Sequence, residues 1–136
     1  MLDNVIPSSN SIIARQLERL GLLFDEPRYT AIAGQLLANV VPQIGPHGSA
    51  YSNWAIQLLE AVYPVREIAL TGPGWKEFRQ AIDRHYVPNK IILGGTAGSL
   101  PLLAGRIGTG TKAYVCQRKT CSLPVADVSQ LLNLIL

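Results

Sequence analysis

The apolar rhythm of this sequence changes at Pro64, and a single layer type cannot satisfy both sides of the change. Before it, Ile12, Ile13, Leu17 and Leu20 recur at near-helical spacing behind the cap candidates of PSSNS, until Gly21 ends the run. Asp25 and Pro27 open a second helical pattern, in which Ala31, Gln35, Leu36 and Val40 lead to Pro42; proline costs nothing at a first helical position. After the breaker stretch PQIGPHG, Ser49 to Val62 form a third helix, with Trp54, Leu58, Ala61 and Val62 on neighbouring turns. Short connections make consecutive helices antiparallel neighbours.

Beyond Pro64, REIALTG is a short apolar run closed by Gly72, PGWKEFRQAIDRHY is helical, and NKIILGG is a second apolar run closed by glycines. This spacing predicts a βαβ unit with parallel strands and a right-handed crossover. A glycine-rich passage, GGTAGSLPLLAGRIGTGT, leads to a third strand, KAYVC, and Asp127 caps a last helix, VSQLLNLIL. The expected fold class is therefore α+β to α/β. Three helices over residues 1–63 precede a small α/β segment over 64–136, the two packing as one compact unit.

Only 15% of the 136 residues are charged, against about 25% in ordinary soluble domains, and the mean hydropathy is +0.20. Some apolar surface should then meet something other than water, either further domains of a parent protein or a second copy of the chain. No apolar run approaches the roughly 20 residues that cross a bilayer. The start, MLDNVIPSSN, lacks the basic and apolar segments of a secretion signal. The expected location is cytoplasmic, with reduced thiols.

The net charge of +3 is unevenly spread: three Arg against five acids give −2 over residues 1–63, and nine Lys or Arg against four acids give +5 over 64–136. Those nine are scattered over helix, strand and loop patterns with few aromatics between them. A solvated face accounts for them, and no nucleic-acid partner is expected.

Known chemical motifs fit poorly. TGPGW places a Gly-x-Gly turn between strand and helix, where dinucleotides seat their phosphates, but Lys76 and Glu77 stand where a third glycine would close the pattern. GTGTK lacks the Gly-Lys-Ser/Thr order of a phosphate loop. An autonomous nucleotide- or sugar-phosphate-binding enzyme module built on these glycines is the alternative reading. Zinc would need His47 and His85 beside Cys116 and Cys121, and the histidines lack paired ligand spacing. No Gly-x-Ser-x-Gly elbow occurs. No catalytic residue, cofactor or metal is assigned.

Cys116 and Cys121 remain open. A strand end followed by a turn can bring two Cα atoms within disulfide range, and Arg118 and Lys119 between them would lower thiol pKa values. The spacing is not Cys-x-x-Cys. The pair stands as a redox candidate beside the simpler reading of packed or loop-lining thiols.

DNVIPSSNS, the REIALTG and NKIILGG pair, and AYVCQRKTCSLPV followed by Asp127 and a leucine-rich end together resemble the C-terminal region of the thioredoxin-domain-containing, spermatogenesis-associated protein 20-like family. The resemblance spans nearly the whole chain, and AYVC-x4-C-x-x-PV is its most specific element. It implies an α/α toroid similar to the N-acylglucosamine 2-epimerase and six-hairpin glycosidase group, of which the first three helices would be the last. It also implies that Asp3, Ser8 and Asn10 lie at the toroid's central pocket, although Ser9 stands where relatives carry Gly, and that Cys116 and Cys121 exchange with a thioredoxin-like domain. No established activity comes with it.

Overall fold

The breakers and caps divide the chain where the rhythm changes. In a computed structural model, which describes residues 2–3 and 6–136, the chain forms two compact units, 1–63 and 64–136.

The first unit holds α1 (Ser9–Phe24), α2 (Pro27–Ala38), the single turn α3 (Val41–Ile44), a 3₁₀ turn over Gly48–Tyr51, and α4 (Ser52–Val62). Gly21 does not end α1. The helix continues to Phe24 and stops at Asp25, whose left-handed backbone (φ 52°, ψ 44°) turns the chain while the Glu26 N–H reaches back to the Gly21 carbonyl at 2.9 Å. This is a Schellman-type closure with Asp where Gly is usual. The expectation that Asp25 opens α2 is likewise corrected: Glu26 is the N-cap, its carboxylate accepting from the Arg28 N–H, and Pro27 takes the first turn.

The α2 pattern stops at Ala38 rather than Pro42, because Pro42 tolerates only a helix's first turn and so falls in that of α3. Residues 49–51 of the expected third helix fall in the 3₁₀ turn. The core of this unit is Ala14, Leu37, Val40, Tyr51 and Trp54.

Gly21 has a different task from the one its position suggests. A Cβ there would lie 2.5 Å from Thr30 Cγ2 and 3.0 Å from the Thr30 nitrogen, so the glycine lets α1 and α2 approach closely. The inward residues of α1 are correspondingly small, Ser11, Ala14 and Gly21, whereas Ile12, Ile13, Leu20 and Phe24 are exposed.

The second unit is a four-stranded sheet in the order β2-β1-β3-β4, from β1 (Arg66–Thr71), β2 (Lys90–Gly95), β3 (Lys112–Gln117) and β4 (Thr120–Cys121), with α5 (Trp75–Asp83) and α6 (Val128–Ile135). β1 pairs parallel with β2 and antiparallel with β3. The fourth strand, absent from the sequence reading, returns from β3 through a two-residue turn. Ile68 and Leu70 pack with Phe78, Ile82, Leu131 and Ile135 from the two helices.

Period-2 alternation sends Ala69 and Cys116 to the other face, where Leu102 and Leu103 of the glycine-rich passage join them. That passage is a cover over the sheet. Asp127 caps α6, its Oδ1 accepting from the Ser129 and Gln130 N–H groups.

A Gly21→Ala substitution should destabilise the first unit by about 1–3 kcal/mol through overpacking. Adding Thr30→Ser, which removes the obstructing methyl, should recover much of the loss in urea melts followed by circular dichroism.

Candidate functional site

Capping begins at Ser8, whose hydroxyl accepts from the Ser11 N–H at 3.2 Å. Beneath it lies Asp3, 3% exposed. Asp3 Oδ1 accepts from the Ser8 N–H at 2.9 Å and the Ser11 hydroxyl at 2.8 Å, while Oδ2 accepts from the Asn53 N–H at 2.9 Å. One carboxylate thus serves the N-termini of α1 and α4, where amide donors lack intrahelical partners and the dipoles favour negative charge. The Asp3 N–H donates to the Ala50 carbonyl at 2.8 Å, and Gln57 Nε2 donates to the Ser11 carbonyl at 2.8 Å, fastening the same two helices.

Burial by itself would raise the Asp3 carboxyl; hydrogen bonds from Ser8, Ser11, Asn53 and Trp54 outweigh it and hold the group below its ordinary value.

The structure therefore brings Asp3 and Ser8 together but turns the Asp3 carboxylate onto the protein's own donors. Asn10 is exposed and outside this network among the described residues, and Asn4 and Val5 of the same stretch lie outside the described residues. An open depression of about 550 Å³ adjoins the network through Leu2 and Ala50, lined further by Gln43, His47, Ser49 and Tyr51.

A second cleft, about 80 Å³, lies among α1, α2 and α4 and is lined by Glu18, Gly34, Leu37, Gln57 and Glu60. It admits waters rather than a sugar, given that ligand pockets measure about 300–1,000 Å³. Glu60 accepts from Arg19 at 2.6 Å and Arg15 at 3.3 Å. Burial first, and then the Glu60 charge, push the Glu18 carboxyl up against the opposing pull of Arg19.

In the second unit, TGPGW is filled from within. Gly72 (φ 87°) has the Gly110 backbone where a Cβ would point, and the Gly74 N–H, at the start of α5, donates to Thr111 Oγ1 at 2.8 Å. One of the amide donors that a phosphate would use is thus engaged. Thr111 belongs to the GTGTK stretch, so the two glycine motifs close on each other.

The expectation of reduced thiols is overturned: Cys116 and Cys121 form a disulfide, S–S 2.06 Å, with Cα atoms 3.9 Å apart. They are directly opposed on β3 and β4, which the register puts at the same height. Arg118 (φ 47°) and Lys119 (φ 66°) both take left-handed backbone at the hairpin tip, as a two-residue type I′ connection requires. Each non-glycine residue there costs on the order of 1 kcal/mol or more. A sequence search for Asn-Gly or Asp-Gly turns passes over this one.

Cys116 is 3% exposed, whereas Cys121 is open to solvent. Arg106 approaches from the glycine-rich cover. Its Nη1 donates to the Leu102 carbonyl at 2.6 Å, its Nη2 to Cys121 Sγ at 3.2 Å, and its guanidinium lies 5.3 Å from the Tyr114 ring centre. Arg106 is the functional candidate the sequence did not single out; its one mark there is being the sole charged residue between Lys90 and Lys112. His47 and His85 lie in different units, and no group of three or more metal-ligating side chains occurs among the described residues.

Comparison with protein-family models, curated proteins and solved structures finds no match.

Two acid-base outcomes follow from the first unit. A carboxyl depressed by folding contributes stability that is present above its unfolded pKa and lost as pH falls through the folded one. Asp3→Asn should weaken the unit by about 1–3 kcal/mol at neutral pH, and its urea midpoint should fall less steeply than the parent's below about pH 4. Glu18 has the opposite sign, its contribution being lost as pH rises through its raised pKa. Glu18→Gln should therefore raise the melting temperature at pH 7, and the gain should shrink toward about pH 4.

Proposed function

We propose that this chain is the C-terminal, non-catalytic part of a large cytoplasmic protein similar to the thioredoxin-domain-containing, spermatogenesis-associated protein 20-like family. In that role its first unit completes an α/α toroid by docking against helices of the same protein or of a second copy. The observation that carries this reading is the orientation of α1. The helix turns Ser11, Ala14 and Gly21 inward and presents Ile13, Leu20 and Phe24, spaced seven and four residues apart, to solvent. On α4, Ile56, Leu59 and Val62 form a second exposed row.

Fully burying such a side chain contributes about 1.5–3 kcal/mol, so rows left half open favour association. The filled TGPGW turn, whose amide is engaged by Thr111, gives the nucleotide- or sugar-phosphate alternative no comparable support. A cytoplasmic location also bears on the cysteines, because disulfides there are usually transient and redox-linked.

Light scattering on the purified chain should report a dimer or higher oligomer. Ile13→Lys combined with Leu59→Lys should yield a monomer of unchanged helix content. A parent chain that stays monomeric at high concentration would contradict the proposal.

A further inference from the structure

We propose that Cys116, Cys121 and Arg106 form a thiol–disulfide exchange site that takes two electrons from a dithiol reductant through Cys121. This inference is independent of the docking proposal, since it concerns only the second unit and is read on thiols.

Three observations converge on it. The cross-link joins residues five apart that the hairpin already opposes, so it closes almost no additional chain, and a disulfide restrains the unfolded state less as its loop shortens. The two cysteines differ in exposure: Cys121 is an exposed residue and Cys116 is buried, which favours Cys121 as the one an incoming thiolate reaches. The Cys121 sulfur also has a guanidinium in place, with Arg106 Nη2 at 3.2 Å, itself held by the Leu102 carbonyl and the Tyr114 ring. A cation fixed against sulfur stabilises the thiolate and lowers its pKa, and a lower leaving-group pKa speeds exchange.

Other charges near the pair include Arg118 and Lys119 on the turn, and Glu67, which the register sets opposite Cys116 on β1.

The chemistry balances as follows. A thiolate of the reductant attacks Cys121 Sγ, the Sγ–Sγ bond breaks, and its electron pair leaves on Cys116, which takes up one of the reductant's two protons. The reductant's second thiolate attacks its own sulfur in the mixed disulfide. That step closes the reductant's disulfide and releases Cys121 as a thiolate beside Arg106, the second proton passing to solvent. The chain gains two electrons, and the reductant is oxidised by two. Reduction frees β4, only Thr120–Cys121 long, from its covalent tie to β3.

The test uses the intact chain and dithiothreitol. In native buffer the disulfide should open without loss of circular dichroism, and hydrogen exchange should rise at residues 117–122. In the reduced chain iodoacetamide should label Cys121 before Cys116.

Arg106→Gln should slow Cys121 labelling about threefold at pH 7, the net of a smaller thiolate fraction without the guanidinium and a higher intrinsic nucleophilicity. At alkaline pH, where the thiol is ionised in both proteins, the order should invert, because only the variant's higher intrinsic nucleophilicity then remains. Arg106→Lys keeps the charge while losing the planar contacts to Leu102 and Tyr114, so it should stay near the parent rate; a merely structural arginine predicts that Lys fails as Gln does. The assignment is overturned if the bond opens only in denaturant, if the thiols stay unpaired in oxidised glutathione after the dithiothreitol is removed, if both cysteines label equally, or if the pH profile ignores residue 106.

Discussion

The first unit depends on where one carboxylate sits. Asp3 receives donors from the first turns of both α1 and α4, and Gln57 adds a bond from α4 to the Ser11 carbonyl. Together they fix the rotation of α1 about its own axis. With Ser11 held against α4, helical periodicity turns Ala14 inward with it, and Gly21 meets α2. The larger apolar residues must then face out. The exposed stripe on α1 is a geometric consequence of the polar anchor, because a helix cannot bury both its small face and its large one against the same neighbours.

Much of the secondary structure was legible because local chemistry agreed with it. β1, β2 and β3 have the apolar runs and terminators expected of strands, and α6 has an aspartate at its N-cap. Where the reading failed, the cause was a contact distant in sequence or a turn without its usual residues. Gly21 looks like a stop but answers to Thr30, a residue of the next helix. β4 is two residues long behind an Arg-Lys turn, so neither length nor turn chemistry announces it. The glycine-rich passage has no period, yet Leu102 and Leu103 within it are buried against the sheet.

The candidate sites divide similarly. Asp3 and Ser8 were singled out together and do meet, but the donors that engage Asp3 include Asn53, fifty residues away, which no local pattern connects to it. Cys116 and Cys121 were visible as a pair from their spacing. Their bonded state and unequal exposure come from a strand register set by the turn, and the contribution of Arg106 comes from a cover whose path the sequence does not reveal.

The sequence contains two tryptophans, Trp54 and Trp75, and they fall one to each unit. Trp54 is fully enclosed in the helical core, while Trp75 lies half-buried at the start of α5 with its ring over Gly94. Each unit thus has its own intrinsic fluorophore, in surroundings that differ in polarity. Replacing either one with phenylalanine leaves emission that reports on a single unit, so whether the two halves melt together or in sequence can be followed without attaching a dye.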